Sequence, residues 1–228
     1  MKQLFLSLLL LCGSSSLWAH ALWIETKASG QTGQAHAVKV FYGEYAENNP
    51  EPISAWYSDV KAFTLWLVSP SGQKQQLAVD SAGNHFTASF TPSEAGSYQL
   101  LVSHSAKDLG RTTLYQFNTS ATVTVGKGAT APNSNPLSFA VTPGEVKGTV
   151  DIKALFNQQP CADCKVMLVG PTGWSKEIAA TAGVVSLKPE WKGQYMVEVT
   201  RSGKEAGEQA GVAYDAVWRC ATMLVTMP

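Results

Sequence analysis

Short runs rich in valine, threonine, leucine and aromatic residues follow one another along this chain, each closed by a glycine- or proline-containing turn. They occupy residues 35–41, 63–68, 77–79, 85–90, 96–102 and 113–125, and after an interruption 149–156, 165–169, 174–178, 184–187, 194–200 and 221–226. Half-buried strands favour these side chains, and strands at this spacing with glycine and proline turns point to sandwiches rather than parallel sheets wound with helices. One stretch, 54–60, has the character of a short helix. Hydrophobic residues at 45% and charged residues at 15% supply enough apolar mass for packed cores and too little charge for disorder.

The rhythm stops at 126–136, where Gly, Lys, Ala, Thr, Pro, Asn and Ser offer almost nothing to bury, as in a linker. The expected architecture is therefore all-β, with two tandem β-sandwich modules of immunoglobulin or transthyretin type at 20–125 and 137–228. Two short patterns recur between the halves. Val68-Ser-Pro70-Ser-Gly72 matches Val169-Gly-Pro171-Thr-Gly173, and Glu94-Ala-Gly96-Ser-Tyr98 matches Trp191-Lys-Gly193-Gln-Tyr195.

The first residues read as an export signal. Lys2 precedes an apolar run at 4–11, Gly13 and the serines after it break that run, and small residues follow at Ala19 and Ala21. Such a run is too short to span a bilayer, and no later segment is long and apolar enough. The expected address is the periplasm. Cleavage after Ala19 gives a signal peptide of 1–19 and makes His20 the first mature residue; cleavage after Ala21 is the alternative. With 17 basic and 17 acidic side chains the formal net charge is zero, so there is no basic field to hold nucleic acid.

The histidines are the most informative residues for chemistry. All four, His20, His36, His85 and His104, lie in the first half. A terminal His20 would offer its α-amine and a ring nitrogen to one ion. A second imidazole would complete a T-shaped nitrogen site suited to Cu2+, whereas carboxylate and water would suit Ni2+ or Co2+. His104, His85 and His36 are the candidate partners, and Glu25, Glu44 and Glu47 the candidate carboxylates. The plain alternative is that four histidines in such a chain are ordinary surface or hydrogen-bonded residues.

Without Cys12, which falls in the signal, three cysteines remain. Cys161-Ala-Asp-Cys164 stands in a turn, away from any helix end that would activate a thiolate, so a structural disulfide is expected. A bridge from either to Cys220, or a thiolate metal site with Cys220 as ligand, are the alternatives. Six tryptophans outside the signal could fill cores or, if exposed, stack on sugars, which keeps a carbohydrate-binding or adhesive envelope protein open as a second function. No nucleophile elbow, zinc-protease helix, P-loop or dinucleotide fingerprint is present, so a non-catalytic protein is expected.

His20-Ala-Leu-Trp-Ile-Glu25 resembles the start of a periplasmic family regarded as a component of nickel/cobalt (Co2+/Ni2+) transport systems, whose domain otherwise carries only an unknown-function label. Its members begin after the signal with His-x-Leu/Phe-Trp-Leu-Glu. The second half is similar as well, at 150–156, Pro160, Lys165-Val166, Gly170-Pro171-Thr-Gly-Trp174, 189–195 and Tyr214-Asp215. The resemblance implies an exported two-sandwich protein tied to Ni/Co uptake, with cleavage before His20 and a membrane transporter component as partner. Cys161 and Cys164 depart from the pattern, standing where it has apolar or small residues. Cys220 stands where a histidine is common, which would soften any metal site there.

Overall fold

The computed structural model describes residues 20–227. The signal-peptide reading of 1–19 lies outside them. The first module contains β1 (Ala21–Thr26), β2 (His36–Glu44), β3 (Asn49–Pro50), β4 (Leu65–Val68), β5 (Lys74–Leu77), β6 (Asp80–Ser81), β7 (His85–Phe90), β8 (Gly96–Ser105) and β9 (Thr113–Val125). The second contains β10 (Leu137–Pro143), β11 (Val150–Phe156), β12 (Gln159–Pro160), β13 (Lys165–Val169), β14 (Ser175–Ala179), β15 (Val184–Leu187), β16 (Gly193–Gly203), the small hairpin β17 (Gly207–Gln209) and β18 (Val212–Tyr214), and β19 (Ala216–Met227). The expected helix over 54–60 is replaced by two 3-10 turns, Ile53–Ala55 and Val60–Ala62. Among the described residues no helix is long and apolar enough to cross a membrane.

The protein is all-β, and its two halves repeat one layout. A small sheet, β1-β2-β7 in the first half and β10-β11-β15 in the second, faces a four-strand layer, β9-β8-β4-β5 or β19-β16-β13-β14. The recurring sequence patterns occupy equivalent places. Tyr98 donates its hydroxyl to the Glu94 carbonyl at 3.0 Å, and Tyr195 donates to the Trp191 carbonyl at 3.1 Å, the corner tyrosine of immunoglobulin-like sandwiches. Gly96 (φ +136°) and Gly193 (φ +130°) start the equivalent strands. A Cβ would lie 2.5 Å from the Pro70 ring and 3.1 Å from that of Pro171, so each pattern's glycine is needed where the other pattern's turn packs down.

The two four-strand layers are one sheet. β9 and β19 pair in parallel, from Ala216 opposite Thr113 to Thr222 opposite Thr119, and close an eight-strand sheet, β14-β13-β16-β19-β9-β8-β4-β5. Side chains directly opposite each other share a face, so the register shows where each core lies. Leu100, Val102, Phe117, Val123 and Leu67 face the first small sheet. Tyr195, Val197, Val199, Val166 and Leu168 face the second, on the opposite side. Each small sheet thus covers one half of one face. Asn118 Nδ2 bonds the Cys220 carbonyl at 3.1 Å, and the Thr222 hydroxyl bonds Thr119 Oγ1 at 2.9 Å and the Leu22 carbonyl, stitching the seam.

Residues 126–136 connect the modules without hanging free. Ser97 of β8 donates its N–H to the Ala129 carbonyl at 2.8 Å and accepts from the Ala131 N–H at 2.9 Å, Ala131 is buried, and Asn135 Nδ2 donates to the carbonyls of Val102 and Thr119. The segment satisfies part of its backbone against the start of β8 and buries the Ala131 and Asn135 side chains. Cys161 and Cys164 form a disulfide with Cα atoms 5.5 Å apart, and Cys220 is a buried free thiol. So tight a loop removes little chain entropy: reduction is expected to lower stability by no more than about 2 kcal/mol in a urea titration with and without reductant.

Candidate metal site

His20 stands where three segments meet. It precedes β1, whose Ala21 lies opposite Gly43 near the end of β2; Gly43 in turn lies opposite Pro50 of β3. Gly43 has φ +142°, and a Cβ there would lie 2.6 Å from the Asn49 carbonyl and 2.9 Å from the Glu51 nitrogen. Only glycine lets the chain come that close, and this approach delivers Glu51 to the His20 ring. Glu44, the next residue of β2, reaches the ring from its other edge.

The imidazole is held between the two carboxylates. Nε2 lies 2.6 Å from Glu51 Oε1 and Nδ1 lies 3.1 Å from Glu44 Oε1. Its face stacks on Tyr42 at 5.6 Å. A neutral imidazole carries one N–H, so it satisfies one carboxylate and turns a lone pair toward the other. A second proton or a cation is needed to complete the arrangement. Burial pushes the Glu44 carboxyl up; the His20 charge opposes this, and the nearby Glu47 and Glu51 add to it. Burial, then the Glu51 charge, also pushes the Tyr42 phenol up, keeping it protonated.

The other expected ligands are elsewhere. Glu25 accepts a hydrogen bond from Trp23 Nε1 at 3.1 Å, on the outer face of the small sheet. His36 is buried and bonds the Thr26 hydroxyl at 2.8 Å and the Lys27 carbonyl at 3.1 Å; burial, with the Lys27 charge, lowers its pKa. His85 stacks on Phe41 at 4.8 Å and bonds Asn84; burial, then the Lys39 charge, lowers its pKa. His104 clamps the Asp59 carboxylate at 3.0 Å and so ties the loop after β3 to β8. The expected set of His20, His36, His85, His104 and Glu25 is therefore not one centre. Each strand carries its histidine to a different face or end, and the missing imidazole removes the T-shaped copper arrangement. The partners at His20 are Glu44, already a candidate by type, and Glu51, which no local pattern singled out because it depends on the close approach at Gly43.

Glu44 also borders a cavity of about 420 Å³ between the modules. Its floor is the face of the second module's sheet that its own small sheet leaves open, with Met167, Met196, Glu198, Thr200 and Trp218; Tyr45 and Ala46 lie on the other side. Burial pushes the Glu198 carboxyl up to about 7, with its hydrogen bond to Cys220 working in the opposite direction. Burial, followed by the Glu198 charge, pushes the Cys220 thiol up.

Among the described residues, the one group of three cysteine, aspartate, glutamate or histidine side chains with mutually close ligand atoms is Cys161, Asp163 and Cys164. Its two sulfurs are joined in the disulfide, which leaves no thiolate to bind an ion. Of the tryptophans, Trp23 and Trp56 are buried, and Trp191, at 37% exposed, packs edge-on against Trp174 at 5.6 Å.

No protein-family description matches this chain, and no curated protein sequence matches it. Among solved structures, a crystal structure of a DUF4785 family protein from Legionella pneumophila is 13% identical, covering 78% of this chain and 50% of that one at a TM-score of 0.33. This chain spans half the length of that protein.

Proposed function

We propose that this is an exported periplasmic protein that captures a divalent transition-metal ion at His20 and supports its uptake or homeostasis without catalysing a reaction. The observation that carries the reading is the imidazole of His20 set between Glu44 and Glu51. Removal of residues 1–19 would free the His20 α-amine, and that amine chelates through Nδ1, the ring atom that faces Glu44. Glu51 accepts the Nε2–H, which fixes the tautomer and leaves the Nδ1 lone pair for the ion, the usual office of an outer carboxylate on a metal-bound histidine. Two nitrogens, one carboxylate and water suit Ni2+ or Co2+ better than the nitrogen-only set that Cu2+ prefers. A membrane transporter component is the partner such a role requires. The carbohydrate-binding alternative rests on Trp191, whose edge-on packing with Trp174 leaves a single ring to stack on a sugar.

Calorimetric titration of the protein beginning at His20 with Ni2+, Co2+, Cu2+ and Zn2+ tests this reading. Binding tighter than about 100 μM is expected, and it should be lost in His20→Ala and in a chain extended by one residue ahead of His20. Equal affinity with the extended chain would defeat the chelate.

A further inference from the structure

The open face of the second module's sheet floors the cavity beside the His20 site, and the register lays its side chains out in rows. Glu177 of β14, Met167 of β13, Glu198 of β16 and Thr222 of β19 lie opposite one another in turn. In the row on one side Lys165 lies opposite Thr200, and in the row on the other Val169 lies opposite Met196. The floor therefore runs from an apolar end at Val169 and Met196, past the Glu198 carboxyl, to the hydroxyls of Thr200 and Ser202; Tyr45 of the first module covers the apolar end. Five aspartate, glutamate and lysine side chains line this space, and four of them have ionic partners. Lys165 pairs with Glu177 at 3.0 Å, Asp163 with Arg201 at 3.1 Å and Glu44 with His20 at 3.1 Å. Glu198 alone has none among the described residues. Its hydrogen-bond partner is the Cys220 thiol, which is buried and does not line the cavity, and the Thr222 hydroxyl across from it is taken up by the Leu22 carbonyl.

An enclosed carboxyl that faces a cavity without a counter-ion is completed by a cationic ligand. A metal ion does not suit the place, because among the described residues no three ligand atoms converge there. An ammonium group asks for less: one carboxylate and a neighbouring hydroxyl accept its N–H bonds. We propose that this cavity binds a small primary monoamine, its ammonium held by the Glu198 carboxylate and the Thr200 hydroxyl and its apolar body lying between Met167, Met196 and Tyr45. A volume of about 420 Å³ has room for such a ligand, and the exposed Lys165–Glu177 pair stands where the cavity meets solvent. Where Glu198 is protonated, docking of the ammonium sends that proton to water, and no covalent bond to the ligand is made. The site does not depend on the chelate at His20, although Glu44 borders both.

Calorimetric titration of the disulfide-intact protein with phenethylamine and with hexylamine, at pH 8 where Glu198 is mostly ionised, tests the proposal. At least one of the two is expected to bind more tightly than about 1 mM. Phenethyl alcohol and phenylacetate, which keep the aromatic body and replace the ammonium, should bind at least about tenfold more weakly than phenethylamine. Glu198→Gln keeps the side chain's shape and should weaken amine binding at least about tenfold as well, with a thermal midpoint no lower than the parent's showing that it is folded. The same variant should hold Ni2+ as the parent does. Amine binding by a parent that takes up no Ni2+ would defeat the His20 reading and support the cavity site, so the two fail separately. The cavity site is refuted if neither amine binds, if the alcohol binds as well as the amine, or if Glu198→Gln leaves amine affinity unchanged.

Discussion

Ile152→Ala is expected to cost roughly 2–5 kcal/mol, and to lower the stability of both modules together. Ile152 lies on β11, fully buried against Val166, Val197 and the rest of the second core, so its removal leaves a cavity there. It touches nothing in the first core. In a chain of two independent sandwiches the first module would not respond. Here the modules share the β9–β19 ladder, and β1, an edge strand of the first module, is hydrogen-bonded to Thr222 of the second. Trp23 of β1 also packs on Val169 and Met196 across the boundary. Unfolding one module would leave the facing edge of β9 or β19 in the other without its backbone partners, a cost that keeps the opening cooperative. Urea denaturation followed by tryptophan fluorescence, to which buried Trp23 and Trp56 contribute, and by circular dichroism should give one coincident transition at a lower midpoint. Two transitions, with only that of the second module shifted, would show that the seam does not couple them.

The second large effect is a pH dependence that belongs to Glu198. Burial disfavours the charge and pushes its carboxyl up to about 7 in the folded protein, against 4.5 for an ordinary glutamate. A folded-state pKa above the unfolded value means that the folded protein keeps a proton that the unfolded chain releases. The contribution to stability is then whole below about 4.5 and is lost as pH rises through about 7. The shift corresponds to a loss on the order of 3 kcal/mol across that window. Glu198→Gln carries no such proton. Its stability relative to the parent should therefore rise from pH 4.5 to pH 8, and the difference between the two denaturation curves is the measurement. Parallel curves over that range would show that Glu198 is no more buried than a surface carboxylate.

Much of the β character was legible from local patterning. The runs at 85–90, 113–125, 165–169 and 184–187 coincide with β7, β9, β13 and β15, because alternation and β-branched residues are properties of a few adjacent side chains. The paired patterns around Pro70/Gly96 and Pro171/Gly193 carried the internal repeat, since a turn and a corner tyrosine are local too. The helix expected at 54–60 did not form. That stretch instead presents Trp56 to the core and Asp59 to His104 through 3-10 turns, a tertiary demand that local propensity does not encode. At the candidate site the sequence pointed to His20 by type and to Glu44 as one carboxylate. It assembled the wrong company for them, because histidines in one module need not share a face.

By itself the sequence determined an all-β chain built from two similar halves and a Cys161–Cys164 pair suited to a disulfide. These are short-range matters of propensity, turn chemistry and spacing. Only the tertiary structure decided that the halves share one sheet, that Glu51 rather than a second histidine meets His20, and that Met167, Met196 and Glu198 line one cavity. Each of those depends on which distant strands pair and in what register. Backbone ladders can satisfy their hydrogen bonds with many partners, so the choice among them is made by the whole packed core and not by any segment alone.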